Sequence, residues 1–316
     1  MPEFPVLHVV GLPARLFEEP VARALPGKRV SGFEDEADFA ARVGEIEVLL
    51  ALRPPRGRWA GARKLRLLQT AGAGVDAVLP APDLPACVRI CNGRGIHGPQ
   101  MSEYALAMML HFARRMPRNA EQQREHLWKM YAPALLEGAT CGILGMGAIG
   151  QAVAQKAKAF GMRVLGVQRT PKACSHADEV LGEDGTARVL AESDYVVVIL
   201  PLTPETRGRL GRDMLAKLKP EGVLVNMARG GIVDEAALAD MLRDGSLRGA
   251  ALDVFDEEPL PPESPLWDLP NLVVTPHVAG FSSDYLPDVF AIFADNVRRL
   301  ELGEPLRNEI DRKRGY

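Results

Sequence analysis

The sequence has little of several features that mark particular classes of protein. Its four cysteines form no Cys-x-x-Cys pair and have no histidine nearby at zinc-ligand spacing, so no bound metal is expected. We expect Cys87, Cys91, Cys141 and Cys174 to be buried, reduced thiols.

Charge of one sign and long apolar runs are also scarce. A formal net charge of −3 over 316 residues indicates neither a nucleic-acid partner nor a membrane surface. The apolar run at 104–113 is shorter than the ~18 residues that a membrane span requires. The N-terminus has no basic segment followed by a long apolar run, so we expect no secretory signal and a cytoplasmic location.

Short apolar runs alternate with helical patterns along the whole chain, which predicts an α/β fold with parallel strands and helical crossovers. Hydrophobic residues make up 47 % of the chain, enough for two cores. The predicted strands of the first series are 6–11, 48–52, 65–70 and 88–92. Those of the second series are 141–145, 163–168, 195–200, 222–227, 249–255 and 271–276. We therefore predict two doubly wound parallel sheets.

Two helical patterns determine the predicted domain boundaries. One covers 100–116 and is apolar on more than one face. The other, at 284–300, places Val289, Phe293, Val297 and Leu300 on one stripe, and we expect it to return and pack on the first sheet. The prediction is a discontinuous domain of residues 1–95 and 284–316, and a dinucleotide-binding domain of residues 96–283.

A Gly-x-Gly-x-x-Gly motif follows the first strand of the second series. Gly145 permits a tight turn, Gly147 lets the backbone approach a pyrophosphate, and Gly150 lets the next helix pack closely. The helix predicted to begin near Ala148 and Ile149 presents free N–H groups and its positive dipole end to an anion. The motif predicts a bound dinucleotide.

Polar residues follow every strand of the second series, at the edge of a parallel sheet where ligands bind. Beyond the glycine turn, the candidate cofactor contacts at this edge are Gln168, Arg169, Thr170, Leu200, Pro201, Thr203, Met227, Ala228, Asp253, His277 and Gly280.

The residue type at position 168 bears on which dinucleotide binds. An Asp or Glu is expected there to hold the adenosine ribose, but the strand ends in Gln168, Arg169 and Thr170. Glutamine removes the repulsion of a 2′-phosphate, while Arg169 and Lys172 can supply positive charge. We expect NADP(H) to be preferred. The alternative is that Arg169 is merely solvated and NAD is accepted.

Three further residues at this edge form a candidate catalytic group. Arg229 can grip a carboxylate bidentately, and His277 can donate a proton to an alkoxide as hydride reduces a ketone. Glu258 beside His277 would favour the charged, proton-bearing imidazole. The neighbouring Asp256 and Glu257 are expected to be solvated and are given no role.

Several motifs together resemble the D-isomer-specific 2-hydroxyacid dehydrogenase family. They are "LQTAGAGVDAV" (68–78), "NGRGIHGPQMSEYALAMML" (92–110), "GMGAIG" (145–150), "LPLTPETRG" (200–208), "NMARGGIVDEAAL" (226–238), "ALDVFDEEP" (251–259) and "TPHVAG" (275–280). The resemblance implies a Rossmann-type cofactor domain, a flavodoxin-like substrate domain, a nicotinamide cofactor and a homodimer. The helix from Gln100 and the segment 125–131 correspond to the dimer contacts of that family.

The resemblance also implies roles for individual residues. Arg229 would bind the substrate, His277 would be the acid and base, and Glu258 would pair with His277. Asp253 would hold the nicotinamide carboxamide. Substrate contacts are expected from the loop 71–75, in particular Ala73 and Gly74, and from Arg53. His97 would either touch the substrate or cap a helix, and Asp76 is expected to be structural.

The function implied is hydride transfer between NAD(P)H and a small 2-oxo acid, giving a D-2-hydroxy acid. The residues at 168–170 resemble those of the NADP(H)-preferring glyoxylate and hydroxypyruvate reductases. A short-type D-3-phosphoglycerate dehydrogenase is an alternative, since Arg53, Arg56 and Arg94 could serve a phosphorylated substrate. A nucleotide-sensing protein that resembles corepressors of the same fold is a second alternative.

Overall fold

The computed structural model describes residues 3–52, 54, 57–75 and 78–312. The chain divides into two compact units. The first contains the residues up to Ile96 together with those from Ser282 onward, and the second is His97–Phe281. The domain assignment made from the sequence stays a prediction, and its boundaries lie within two residues of this division.

The described residues form a series of strands and helices with the following bounds. The strands are β1 (Val6–Val10), β2 (Arg29–Ser31), β3 (Val48–Ala51), β4 (Leu67–Thr70), β5 (Arg89–Cys91), β6 (Thr140–Leu144), β7 (Arg163–Val167), β8 (Glu179–Leu181), β9 (Tyr195–Val198), β10 (Val223–Asn226), β11 (Gly249–Leu252) and β12 (Leu272–Val274). The helices are α1 (Arg15–Ala24), α2 (Glu36–Arg42), α3 (Gly98–Ala113), α4 (Met116–Arg124), α5 (Ala148–Ala159), α6 (Thr186–Glu192), α7 (Arg212–Leu215), α8 (Glu235–Asp244) and α9 (Tyr285–Leu302).

The first unit is built on a parallel sheet with the order β2-β1-β3-β4-β5. Strands β3 and β4 are buried along their whole length, because hydrophobic clusters cover both faces of the sheet. Sequence analysis missed β2, a three-residue edge strand whose single strongly apolar residue is Val30.

The final helix packs on the first unit, as expected. Val289, Phe293 and Val297 of α9 are buried in the same cluster as residues of α1 and of the sheet, and Leu300 packs against that cluster. Because these residues recur at intervals of three to four, they form one apolar stripe on the helix. The chain therefore returns to the first sheet after completing the second.

The second unit contains a parallel sheet with the order β12-β11-β10-β9-β6-β7-β8. Seven strands are present where the sequence predicted six, because β8 is a short edge strand whose residues are only partly buried. All its strand pairs are parallel, so the loops after the six predicted strands emerge at one edge. The predicted fold class, two parallel-sheet α/β domains, is confirmed.

The helix predicted at 100–116 corresponds to α3, and a second helix that was not predicted follows it. Helix α3 ends at Ala113, and α4 begins at Met116 after Arg115, whose φ of 52° is left-handed. Pro117 occupies the first turn of α4, and proline favours such a position over a helix interior. The predicted helix extended to Met116, the first residue of α4, although the rest of α4 is mostly polar and has no buried residue.

The cysteines are free thiols, but not all are buried. Cys91 and Cys141 are buried, Cys174 is partly exposed, and Cys87 is exposed, so the expectation of four buried thiols was wrong. None of the helices in the described ranges combines the length and apolar character that crossing a membrane demands.

Candidate active site

The glycine turn connects β6 to α5. Gly145 has a left-handed φ of 113°, and a Cβ there would stand 2.4 Å from the Ile199 carbonyl oxygen. A Cβ on Gly150 would stand 2.2 Å from the Gly145 carbonyl oxygen, so the helix could not pack this closely with another residue. Among the described residues other than Gly147 and its two chain neighbours, no atom lies within 4 Å of the Cβ position of Gly147. This open backbone at the start of α5 fits a dinucleotide pyrophosphate.

The residues after β7 lie at the same sheet edge. The backbone N–H of Gln168 donates to the Leu181 carbonyl of β8, which holds the strand end in place. The Arg169 and Thr170 side chains are exposed. A hydrogen bond from Thr203 lowers the pKa of Glu205, and the positive charge of Arg169 lowers it further. The Arg169 guanidinium therefore lies near the loop that follows β9.

That loop carries Leu200, Pro201 and Thr203, and Thr206 holds it together. The Thr206 hydroxyl donates to the Pro201 carbonyl at 2.6 Å and accepts the Thr203 backbone N–H at 2.8 Å. The segment therefore has a defined backbone beside the glycine turn.

The loop after β10 presents Arg229. Met227 and Ala228 are buried, and Arg229 Nη1 donates to the Ala228 carbonyl at 2.7 Å. The backbone N–H of Gly231 donates to Asp256 Oδ1 in the loop after β11. Asp256 is exposed, as expected, and its carboxylate also joins the two loops.

Glu235 is a second carboxyl at this junction. It accepts the Asp256 backbone N–H at 2.6 Å. Partial burial and the nearby Asp256 and Glu258 carboxylates raise the pKa of Glu235 to about 7, although the N–H of Asp256 opposes the shift. A proton-binding carboxyl near neutral pH thus lies beside Glu258, which sequence analysis did not indicate.

His277 and Glu258 are in direct contact. His277 Nδ1 lies 2.8 Å from Glu258 Oε2, and the other oxygen of Glu258 accepts the Phe255 backbone N–H at 3.0 Å. Partial burial raises the pKa of Glu258, but its hydrogen bonds with His277 and Phe255 and the nearby Arg229 charge together hold it below the usual value. The His277 side chain is 41 % exposed.

The backbone at His277 has a left-handed φ of 55° and is held by Asp253. Asp253 is 1 % exposed. Its Oδ1 accepts the Val278 backbone N–H at 2.9 Å and the Thr275 hydroxyl at 2.6 Å, and its Oδ2 accepts the Ala279 backbone N–H at 2.9 Å. The carboxylate assigned from the sequence to a cofactor contact therefore also holds the His277 turn.

His97 lies beside the same turn. It is 7 % exposed, and its Cδ2 lies 3.3 Å from the Cβ position of Gly280. Burial and the nearby Arg229 charge lower the pKa of His97 to about 4, so its ring is neutral near pH 7. His97 is the N-terminal cap residue of α3, and its side chain makes no capping hydrogen bond.

Sequence analysis missed a polar contact from α3 to the turn. The Tyr104 and Thr275 hydroxyl oxygens are 2.8 Å apart, and Gln100 Nε2 donates to the Gly280 carbonyl at 3.2 Å. Tyr104 belongs to the run "YALAMML", which we treated as apolar. Its hydroxyl was the available signal, because a buried tyrosine hydroxyl generally has a partner.

The predicted substrate loop belongs to the first unit. The Ala73 carbonyl accepts Asn92 Nδ2 at 2.6 Å, and Ala73 and Gly74 are partly exposed. Arg94 is exposed, and its backbone N–H donates to Asn92 Oδ1. The other candidates, Arg53, Arg56 and Asp76, lie outside the described residues.

The chain matches proteins of known sequence. The family model for the NAD binding domain of D-isomer specific 2-hydroxyacid dehydrogenases matches residues 106–279. Glyoxylate/hydroxypyruvate reductase A of Photorhabdus laumondii is 38 % identical over 273 residues, covering 83 % of this chain and 85 % of that protein.

The chain also matches solved structures. A D-isomer specific 2-hydroxyacid dehydrogenase family protein from Aeromonas salmonicida is 36 % identical with a TM-score of 0.89, over 97 % of this chain and 99 % of that one. The NADPH-dependent glyoxylate/hydroxypyruvate reductase from Sinorhizobium meliloti, in complex with NADP and sulfate, is 32 % identical with a TM-score of 0.89, over 99 % and 100 %. The enzyme from Xanthobacter autotrophicus, in complex with NADPH and MES, is 36 % identical with a TM-score of 0.87, over 98 % and 99 %.

Proposed function

The chain belongs to the D-isomer specific 2-hydroxyacid dehydrogenase family, and we propose that it is an NADPH-preferring reductase of glyoxylate, hydroxypyruvate and similar small 2-oxo acids. The family makes the protein an NAD(P)-dependent oxidoreductase. The observation that carries the proposal is the contact between His277 and Glu258, on the sheet edge that also bears the glycine turn and Arg229.

Each group at this edge has a task in the proposed reaction. The cofactor, when bound, supplies the hydride. Gly145, Gly147 and the first turn of α5 would hold its pyrophosphate through backbone N–H groups. Arg229 would hold the carboxylate of the 2-oxo acid, because a guanidinium matches two carboxylate oxygens and so sets the orientation of the molecule.

His277 would donate the proton that the substrate oxygen takes up. Its Nδ1 is held by Glu258, so Nε2 is the nitrogen that can give the proton. The Glu258 carboxylate orients the ring through its contact with Nδ1. In the reverse direction the same nitrogen accepts the proton of the hydroxy acid.

The preference for NADPH is supported by the residues after β7. The uncharged Gln168 does not repel a 2′-phosphate, and the exposed Arg169 carries positive charge at the same strand end. The structural relatives from Sinorhizobium meliloti and Xanthobacter autotrophicus contain NADP and NADPH. NAD would be used less efficiently.

A homodimer in the cytoplasm is part of the proposal. Trp128 is 96 % exposed and Met130 is 88 % exposed, in the segment that the family resemblance assigns to dimer contacts. Large apolar side chains exposed this close together are typical of a surface that another chain covers. Sedimentation should give twice the chain mass, and Trp128→Ser with Met130→Ser should shift the protein toward monomer. A wild-type monomer at micromolar concentration would contradict the dimer.

Turnover with a panel of 2-oxo acids tests the activity. Oxidation of NADPH and NADH is followed with glyoxylate, hydroxypyruvate, pyruvate and 3-phosphohydroxypyruvate. We expect the highest kcat/KM with NADPH and one of the first two. Preference for 3-phosphohydroxypyruvate with NADH would instead favour a phosphoglycerate dehydrogenase. Binding of the dinucleotide without turnover of any 2-oxo acid would leave the nucleotide-sensing alternative.

A further inference from the structure

We propose that Tyr104 of α3 is a positioning residue for His277, acting through Thr275 and Asp253 on the turn that carries the imidazole. The inference rests on the proposed function, since it assigns a support to the acid of that reaction. Tyr104 itself has no assigned contact with substrate or cofactor. It acts through a chain of three hydrogen-bonding groups.

The direction of the hydrogen bonds follows from the chemistry of the end group. Asp253 Oδ1 and Oδ2 both accept backbone N–H groups, so the carboxylate serves as an acceptor. The Thr275 hydroxyl has one proton, which it donates to Asp253 Oδ1 at 2.6 Å. At the 2.8 Å contact with Tyr104, the threonine oxygen must therefore accept and the tyrosine must donate.

Asp253, the last group in this hydrogen-bond series, lies next to His277. Asp253 binds the N–H groups of Val278 and Ala279, the two residues that directly follow the imidazole. His277 itself has a φ of 55°, a conformation that costs free energy for a residue with a side chain. Such a backbone persists where its surroundings hold it, and Asp253 provides the contacts on one side of the turn.

Helix α3 holds the Tyr104 end of this hydrogen-bond series firmly in the core. Met101, Ala105 and Met109 of α3 are buried in the core of the second unit, and Tyr104 packs against the same cluster. Gln100, one turn earlier, donates to the Gly280 carbonyl. The helix therefore contacts the segment before His277 through Tyr104 and the segment after it through Gln100.

Burial of the tyrosine makes its hydroxyl a lasting donor. Burial raises the pKa of Tyr104, so the phenol keeps its proton throughout the neutral and mildly basic range. A low-dielectric setting also strengthens a hydrogen bond and makes its loss more costly. Removing the Tyr104 hydroxyl should thus let Thr275 rotate, which would weaken the hydrogen bonds by which Asp253 holds the turn.

The central variant is Tyr104→Phe, which removes one oxygen and keeps the ring. We expect kcat to fall by about 5- to 30-fold, because a small displacement of a proton donor is costly in rate. The KM for the 2-oxo acid should stay within about twofold, because Arg229 lies on a different loop. In the apo protein, the ¹⁵N signals of the His277 ring, assigned with His277→Ala, should move.

Matched variants separate positioning from folding. Tyr195→Phe removes the hydroxyl of another buried tyrosine of the second unit. The Tyr195 ring lies under Arg248 and takes no part in the contacts among Tyr104, Thr275 and Asp253, so this variant should leave kcat and the His277 signals unchanged. Thr275→Val should reproduce the effects of Tyr104→Phe, and Thr275→Ser, which keeps the hydroxyl, should restore both readouts. If Tyr104→Phe does not fold, the threonine pair carries the test.

The outcomes are distinct for the two proposals. A wild-type protein that turns over no 2-oxo acid refutes the proposed function, while the ¹⁵N signals still test the contact with Tyr104. Movement of those signals in Tyr104→Phe but not in Tyr195→Phe supports the inference. Unchanged signals overturn it, even if kcat falls, because the effect would then not pass through His277. In an active enzyme, an unchanged kcat also overturns it.

Discussion

Glu235 offers a stability prediction whose size follows from the structure. In Glu235→Gln, the side-chain oxygen can still accept the Asp256 backbone N–H, but the carboxyl proton is gone. Burial and the Asp256 and Glu258 carboxylates raise the pKa of Glu235 from 4.5 to about 7 in the folded protein. The free energy of unfolding of the variant should therefore differ from that of the wild type by an amount that depends on pH.

The sign follows from proton linkage. Between pH 4.5 and about 7 the folded protein keeps a proton that the unfolded chain has released, so the free energy of unfolding of the wild type falls as the pH rises. Glutamine has no carboxyl proton to lose, so the free energy of unfolding of the variant does not fall with pH for this reason. Glu235→Gln should be more stable than the wild type at pH 8 and nearly equal to it at pH 5.

The magnitude must be reduced for solvent screening. At ~1.4 kcal/mol per pH unit, the whole shift would correspond to about 3 kcal/mol. Because the carboxyl is only about half-buried, we expect the advantage of the variant to grow by about 1–2 kcal/mol from pH 5 to pH 8. Urea unfolding at both pH values measures it, with exposed Glu221→Gln as the control. A constant difference between variant and wild type would refute the reasoning.

Two further predictions concern the reaction itself. Arg169→Ala should raise the KM for NADPH by about tenfold or more and that for NADH far less, because a hydrogen bond between charged groups is lost; equal effects in steady-state kinetics would remove Arg169 from the phosphate site. His277→Ala should lower kcat by ~10²–10⁴-fold, while NADPH binding measured by fluorescence changes little, since the residue only transfers a proton; a kcat close to that of the wild type would exclude it as the acid.

Much of the fold was predictable because its signals are local in the chain. Buried parallel strands appear as short continuous apolar runs, and ten of the twelve strands in the described part of the chain overlap a predicted one. The two that were missed, β2 and β8, have three residues each and lie at sheet edges. There the strand is held by pairing with one neighbour, and its own composition contains little signal.

The site divides in the same way. Arg229, Glu258 and His277 were recognisable because each occupies a strand end with a characteristic motif, and parallel strands bring their ends to one edge. Their roles stay predictions. The contact between Glu258 and His277 spans 19 residues, but both motifs were visible separately.

Tertiary structure alone decided how those groups are supported. Tyr104 and Thr275 are 171 residues apart in the chain, and no pattern in either segment indicates that their hydroxyls meet. The role of Asp256 in joining two loops, and the raised pKa of Glu235, likewise arise from side chains that packing brings together. Local composition is enough to select strands, turns and motifs, whereas burial and long-range contacts exist only once the chain has folded.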